Sequence, residues 1–427
     1  MNLSRFFEVE RHHSTVKREI LAGVTSFFTI AYIIIVNPLI LADAGMPYYG
    51  VLLATILTSV AGCFFMGFYA NAPIILTPGM GVNAFFTYTI IQGMGLSWRE
   101  ALAAVIISGI LFLIIASTKL KDILSESIPA SLKHSITVGI GLFLAFIGLQ
   151  KGGIIEASTT TFVKLGHLSH PTTLLTIVGL IITLFLFSRN IKGSFLIGIA
   201  VTCLIGYATG WAHGAEDTHA KMELAPFMQL FFGADFKGML SLPFWIATFS
   251  LTMIVTFENM GLLHGLLPDQ KKFPKAFQAN AVTSLISGIF GTSPTISTVE
   301  SAAGISEGGR TGLTSVVTGT LFFASIAVTP FLSMIPDGAI APVLIIIGGL
   351  MVQNIQHIPL SDFTEGFPAF LIIALIPLTY SIVDGLAFGF IAYPILKMAV
   401  GQRKQIPAPM YIIALLFLIN FVFHSFI

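Results

Sequence analysis

Twice in this chain a long apolar run is interrupted by prolines, glycines and small polar residues where a membrane helix should continue. The interruptions are Ala72 to Phe86 (A-P-I-I-L-T-P-G-M-G-V-N-A-F-F) and Gly291 to Gly309 (G-T-S-P-T-I-S-T-V-E-S-A-A-G-I-S-E-G-G). An unpaired backbone group in hydrocarbon is costly, so irregular backbone at membrane depth persists only where it is buried in protein or lines a cavity. Paired interruptions at matching positions therefore predict a substrate site at the bilayer midplane.

The rest of the composition agrees with a membrane setting. The chain is 55% hydrophobic and 10% charged, with mean hydropathy +0.91, whereas soluble domains carry about 25% charged residues. A net charge of +1 leaves no single-sign field, which argues against nucleic acid as a partner. Cys63 and Cys203 both sit inside apolar runs and read as small buried hydrophobes. G-x-x-x-x-G-K-S/T, H-E-x-x-H and C-x-x-C are all absent, which removes ATP-driven pumping and zinc proteolysis by those motifs. No cofactor and no metal site is expected.

Residues 1–19 carry seven charged side chains from Arg5 to Glu19, and the apolar run Ile20 to Leu41 that follows is long enough to span. It reads as a retained first helix rather than a signal peptide. The apolar segments predict about fourteen spans, with 409–427 as an extra one. With a cytoplasmic N-terminus, the even-numbered connections hold Lys119 and Lys121, Arg189 and Lys192, Lys271 to Lys275, Arg310, and Arg403 with Lys404. That distribution is the one the positive-inside rule requires. The connection 212–240 follows the seventh span and should lie outside. Since seven is odd, a second unit starting there is upside down relative to the first, the geometry of an inverted repeat. An offset of 221 residues superposes Pro73 on Pro294, Phe28 on Phe249 and Asn37 on Glu258.

Carboxylates within apolar spans carry the strongest chemical signal, because an acid at a helix centre costs about 2.5–3.5 kcal/mol on insertion scales. Glu258 lies in I-V-T-F-E-N-M-G-L-L, and Glu300 opens the helical part of the second interruption in S-T-V-E-S-A-A-G. A bland account exists for each: packing against a neighbouring helix for Glu258, a first-turn acid complementing the helix dipole for Glu300. Burial disfavours the charged form of a carboxyl, so such a group donates a hydrogen bond when protonated, accepts when ionised, and serves as a proton-coupling device. The interruptions add backbone N–H groups at half-helix N-termini, expected near Asn83 to Phe86 and Ser301 to Ala303. Phe28, Phe85, Phe86 and Phe257 are candidate stacking faces for a planar ring. Glu307 with Arg310 reads as a local ion pair or gate, Asp384 as a helix cap, and His264 as an interfacial histidine.

Three stretches carry a family resemblance: R-H-H-S-T-V-K-R-E-I-L-A-G-V-T-S-F-F-T-I-A-Y-I-I-I-V-N-P, T-P-G-M-G-V-N-A-F-F and V-E-S-A-A-G-I-S-E-G-G-R-T-G-L-T-S-V-V-T-G. In this order they resemble the AzgA-like purine permeases of the nucleobase:cation symporters, over essentially the whole chain. The resemblance implies the uracil-permease fold, an all-α polytopic protein of about fourteen transmembrane segments arranged as two inverted sevens, with short strands in spans three and ten. It implies a core, substrate-binding domain of 20–118 and 241–335, a gate domain of 119–211 and 336–427, a cytoplasmic N-terminus of 1–19 and an extracytoplasmic connection of 212–240. By motif, Glu258 and Glu300 match the substrate-binding carboxylates, and Ala84 and Phe85 match residues of span three that present backbone and aromatic face to the base. Asn83, Phe28 and Ser301 complete the expected site. The family usually reads D-S/T-x-G-T-L at span eight, where this chain reads Glu258-Asn259-Met260-Gly261-Leu262-Leu263. A longer carboxylate and a leucine in place of a hydroxyl should narrow or depolarise the pocket.

The expectation is a secondary transporter, not an enzyme, importing a purine such as adenine, guanine or hypoxanthine by proton symport across the plasma (inner) membrane. Its partners would be the nucleobase, the proton and the lipid bilayer, with room for a homodimer. An anion exchanger or channel on the same fold is the alternative.

Overall fold

The computed structural model describes residues 3–121, 129–158, 160–211 and 224–425. The first apolar run is not one helix but two, α1 (Val16–Ile30) and α2 (Ile33–Ala42), separated by a turn at Ala31 and Tyr32. α3 (Tyr48–Phe65) widens into a π-helical turn, Met66–Ala70, that ends at Asn71 in the left-handed region with φ 46°. An asparagine tolerates that conformation better than most residues. Strand β1 (Leu76–Pro78) and the half-helix α4 (Met80–Ala84) follow, and α4 runs on as a π-helix to Gly93. α5 (Trp98–Ser117) begins at a capping box in which the Ser97 and Glu100 side chains satisfy each other's backbone N–H.

Next come α6 (Ala130–Lys151), the exposed hairpin of β2 (Ile155–Ser158) and β3 (Phe162–Leu165), α7 (Pro171–Ser188) and α8 (Ser194–Thr209). The second half repeats the theme. α9 (Leu242–Leu266) and α10 (Phe273–Phe290) precede β4 (Thr295–Ser297) and the half-helix α11 (Ser301–Ser306). α12 (Gly312–Ala324), α13 (Asp337–Val352), α14 (Phe363–Thr379), α15 (Ile382–Ala399) and α16 (Ala408–Ser425) close the chain.

Among the described residues nine helices are long and apolar enough to cross a membrane, and Ser194–Thr209, Phe363–Thr379 and Ala408–Ile419 are shorter apolar helices. The chain is a helical polytopic membrane protein. Of the expected outer connection 212–240, residues 212–223 lie outside the described residues. The rest of it holds a short helix, Leu224–Leu230, against α3, and a 3₁₀ turn, Phe236–Leu240.

The helices pack in two groups. α1, α3, α5, α9, α10 and α12 interlock in one, and α6, α7, α8, α13, α14 and α15 in the other. Small residues let backbones touch within the first group, as lipid offers no hydrophobic drive to hold helices together. A Cβ on Gly109 would lie 2.6 Å from the Cα of Leu285, and one on Gly312 2.1 Å from the carbonyl oxygen of Gly67.

Buried polar side chains do the remaining joining. Glu19, fully buried in α1, accepts from the N–H groups of Arg310 (3.0 Å) and Thr311 (3.2 Å) and from the Thr314 hydroxyl (2.6 Å) at the start of α12. A carboxylate there complements both the unpaired N–H groups and the dipole of α12. Asn71 reaches the Phe7 carbonyl and accepts from Gly312, while Lys272 donates to the carbonyls of Asn71 and Arg310. The N-terminal segment is thereby tied to three loops at one end of the bundle.

Candidate functional site

The two interruptions meet. β1 and β4 pair antiparallel, with Leu76 opposite Ser297, Thr77 opposite Ile296 and Pro78 opposite Thr295. Pairing satisfies the backbone that two broken spans would otherwise leave bare. The seam is extended by Gly79 N–H to the Pro294 carbonyl (3.3 Å) and Thr298 N–H to the Ile75 carbonyl (3.1 Å).

Four asparagines anchor the seam. Asn259 Oδ1 accepts from Ser297 N–H (2.7 Å) and from Asn280, whose amide also donates to Ser297 Oγ (2.7 Å); the Asn259 amide donates to the Val255 carbonyl (2.8 Å). At the other end of the second interruption, Asn37 donates to Thr55 (2.7 Å) and Thr292 (3.0 Å). Asn83 accepts from Ser293 (2.5 Å). All of these are fully buried.

The anchoring fixes Glu258. Its neighbour Asn259 is bonded to Ser297, three residues before Glu300, so both carboxylates border the paired strands, and α9 packs on β4 and α11. Glu258 is partly exposed, with Oε2 buried and lacking a hydrogen-bond partner. Of its stripe at i+3, i+4 and i+7, Gly261 and Gly265 are exposed and Leu262 is half-buried, and a Cβ at either glycine would meet nothing within 4 Å. Glu300 accepts from Tyr32 Oη at 2.5 Å. Among the described residues no cation pairs with either carboxylate.

Other expected residues take different places. Asn83, Ala84 and Phe85 are fully buried at the start of the third-span helix, as is Phe86. Ser301 is buried and its Oγ accepts from Ile75 N–H (2.9 Å), which ties the first interruption to the second. Phe28 is 46% exposed, edge-on to Phe27, and faces Gly193 at the start of α8. Phe257 is nearly buried, with Lys133 Nζ of α6 over its ring at 5.6 Å.

The expected free N–H groups are corrected. Asn83 N–H already bonds to the Gly79 carbonyl, because α4 starts at Met80, so the unpaired first-turn donors are those of Met80 to Val82. Ser301, Ala302 and Ala303 donate to the carbonyls of Thr298, Val299 and Glu300. The tight turn into α11 consumes them. The expected pair of Glu307 with Arg310 is not formed either. Glu307 meets Lys192 at 2.6 Å, whereas Arg310 Nη1 donates to the carbonyls of Ile305 and Gly309. Ser381, not Asp384, caps α15, by accepting from Asp384 N–H. His264 is exposed and stacked on Phe273 at 4.0 Å.

Sequence reasoning missed Tyr32, Asn259 and Asn280. The available signal was the cost of placing polar groups in apolar spans, which applies to an asparagine as well as to an acid. Asn259 stands where the family usually has Ser or Thr, and its amide both accepts from Ser297 and donates to Val255, two roles that a hydroxyl fills less completely.

A model of the permease family that contains the xanthine and uracil permeases matches residues 17–388. The chain belongs to that family. It is 47% identical to the nucleobase transporter PlAzg2 of Paenibacillus larvae over 88% of this chain and 76% of the relative. It is 39% identical to the guanine/hypoxanthine permease PbuO of Bacillus subtilis (97% and 99% covered) and 37% identical to the adenine permease AdeP of Escherichia coli (99% and 96%). Among solved structures, the transmembrane domain of the cyanobacterial bicarbonate transporter BicA superposes with a TM-score of 0.63 at 16% identity, covering 87% of this chain and 97% of that domain. SLC26A9 superposes at 0.64 and 10% identity, covering 89% and 65%. These likenesses show the fold. The protein is a permease and not an enzyme.

Proposed function

We propose that this permease imports a nucleobase, a purine in the first instance, by proton symport through Glu258 and Glu300. The observation that carries the reading is the Glu258 carboxylate, whose Oε2 is buried without a partner beside the paired interruptions. A carboxylate held there offers an acceptor to ring and exocyclic N–H groups and a place for a proton. The names of the relatives, covering adenine, guanine and hypoxanthine, support a purine. Phe85 and Phe257 would border the ring from the two sides of the site, with Ala84, Asn83, Ser301 and Phe28 around them. Two carboxylates with no paired cation disfavour an anion as cargo.

In this reading the two packed helix groups are a core and a gate. The core would comprise 20–118 and 241–335, and the gate 119–211 and 336–427. The nine long spans, Phe273–Phe290, the two broken segments, Ser194–Thr209 and Phe363–Thr379 supply the fourteen segments of two inverted sevens, with Ala408–Ser425 outside the repeat. The N-terminus would face the cytoplasm, the membrane would be the plasma (inner) membrane, and the chain would have room to form a homodimer.

The test is uptake of a panel of radiolabelled bases by cells lacking their own permeases, with and without a protonophore. Purine accumulation that the protonophore abolishes in the wild type, and that Glu258→Gln and Glu300→Gln lose, is the expected result. Accumulation by both variants as steep as wild type would remove proton coupling from these residues.

A further inference from the structure

A cavity of about 360 Å³ lies between the third-span helix, the start of α9 and the connection from α14 to α15. Tyr88, Gln92, Pro243, Ile246, Tyr380 and Asp384 line it. Ile246 is twelve residues before Glu258 on the same helix, about 18 Å along the axis, whereas Tyr88 stands one turn beyond Phe85. The cavity therefore adjoins the Phe85 side of the site already described and lies away from its carboxylate.

Its lining converges chemically. Tyr88 and Tyr380 meet edge-on at 5.5 Å, and their hydroxyls are held by Asp43 (2.6 Å) and Gln150 (3.2 Å), which fixes both rings. The Gln92 amide nitrogen donates to the Asp43 carbonyl (2.8 Å), so its orientation is set while Oε1 has no partner among the described residues. The Asp384 carboxylate also has no partner there, since its hydrogen bond to Ser381 uses the backbone N–H. Lys151 is committed to Asp43 at 2.7 Å. Fixed aromatic faces, an amide oxygen and a free carboxylate in a volume at the small end of ligand pockets match a planar heteroaromatic ring rich in N–H donors. They repel an anion.

We propose that this cavity is a second nucleobase site, distinct from the one at Glu258, in which Asp384 and Gln92 Oε1 accept from the base and Tyr88 and Tyr380 flank it. This rests on the nucleobase reading of the central site. Because the lining comes from both helix groups, a base bound here bridges them and opposes the relative movement that transport needs. Uptake then falls at high external base.

The experiment measures equilibrium binding of the radiolabelled base that the wild type imports, by the purified full-length protein, together with its uptake in cells. The wild type should bind two bases per chain, one of them weakly, and its uptake should pass through a maximum as base rises. Gln92→Leu with Asp384→Asn should bind one base, lose the decline at high concentration and keep the wild-type KM, which also shows that it folds. Glu258→Gln should keep the weak site. One base per wild-type chain, or two in the Gln92/Asp384 double variant, overturns the second site while uptake stands. Absence of any base uptake or binding overturns the nucleobase reading itself, and the second site with it.

Discussion

Tyr32, at the turn that divides the first span, donates its hydroxyl proton to Glu300, 268 residues further along, at 2.5 Å. The tyrosine is 1% exposed and its ring lies edge-on to Phe195 at 5.4 Å. The first span, the second interruption and α8 thus share one side chain.

Tyr32→Phe removes that donor and keeps the ring. A hydrogen bond to a charged group is worth about 1.5–3 kcal/mol, so the apparent affinity for the imported base should weaken about 10-fold or more, with the protein still folded. Concentration-dependent uptake at several external pH values checks it. An unchanged KM and pH profile would mean that the contact only packs the helices.

Asn259→Leu strips Ser297 N–H and the Asn280 amide of their shared acceptor. Each buried group left unpaired costs about 1–3 kcal/mol. Thermal unfolding of the purified protein should shift down clearly, whereas Asn259→Ser, closer to the usual residue of the family, should shift it less. Equal shifts would show that side-chain volume rather than hydrogen bonding matters at this position.

Lys272 lies in the turn Gln270–Lys272 between α9 and α10, and burial pushes its ammonium down from 10.5 to about 8, opposed by the carboxylates of Asp269, Glu19 and Glu8. With the folded value below the unfolded one, folding disfavours the charged form. The penalty is fully present below about pH 8 and is relieved as pH rises towards 10.5. The difference in melting temperature between wild type and Lys272→Met, followed from pH 7 upwards, should therefore move in favour of the wild type across that window. Its size should be small, because the side chain is only partly buried. A difference that stays flat with pH would contradict it.

Gly312→Ala places a methyl 2.1 Å from the Gly67 carbonyl, a backbone atom that no rotamer change can move. α12 and the end of α3 would have to separate. Loss of folded protein on size-exclusion chromatography is expected. Gly261→Ala, whose Cβ meets nothing within 4 Å, should fold normally.

Much of the site was legible because its ingredients are expensive in a membrane. Pro73, Gly79 and Pro294 announce broken spans, and the strands they flank do pair; Glu258 and Glu300 announce themselves by charge. What stayed illegible depends on partners far apart in sequence. Nothing local distinguishes Tyr32 from any other aromatic residue in an apolar span. Nothing local marks Asn259 as the anchor of Asn280 and Ser297, which lie 21 and 38 residues further along. The free N–H groups were misplaced by one turn, because whether a half-helix starts at Met80 or Asn83 depends on where Gly79 is caught by Pro294. Lys192 found Glu307 only because the loop between α7 and α8 comes back to α11.

The seam of β1 and β4 also imposes an order of events. Leu76 leaves the ribosome about 220 residues before its partner Ser297, an interval of roughly 10–40 s at ordinary synthesis rates. Through that interval the first half carries a bare strand that nothing of its own can complete. The carbonyls of Ala72 and Ile74 wait longer still, for the hydroxyl of Ser315. A chain stopped at the end of α8 thus carries β1 without its partner, and the candidate site, which needs Glu258 and Glu300, takes shape only once the second half has been made.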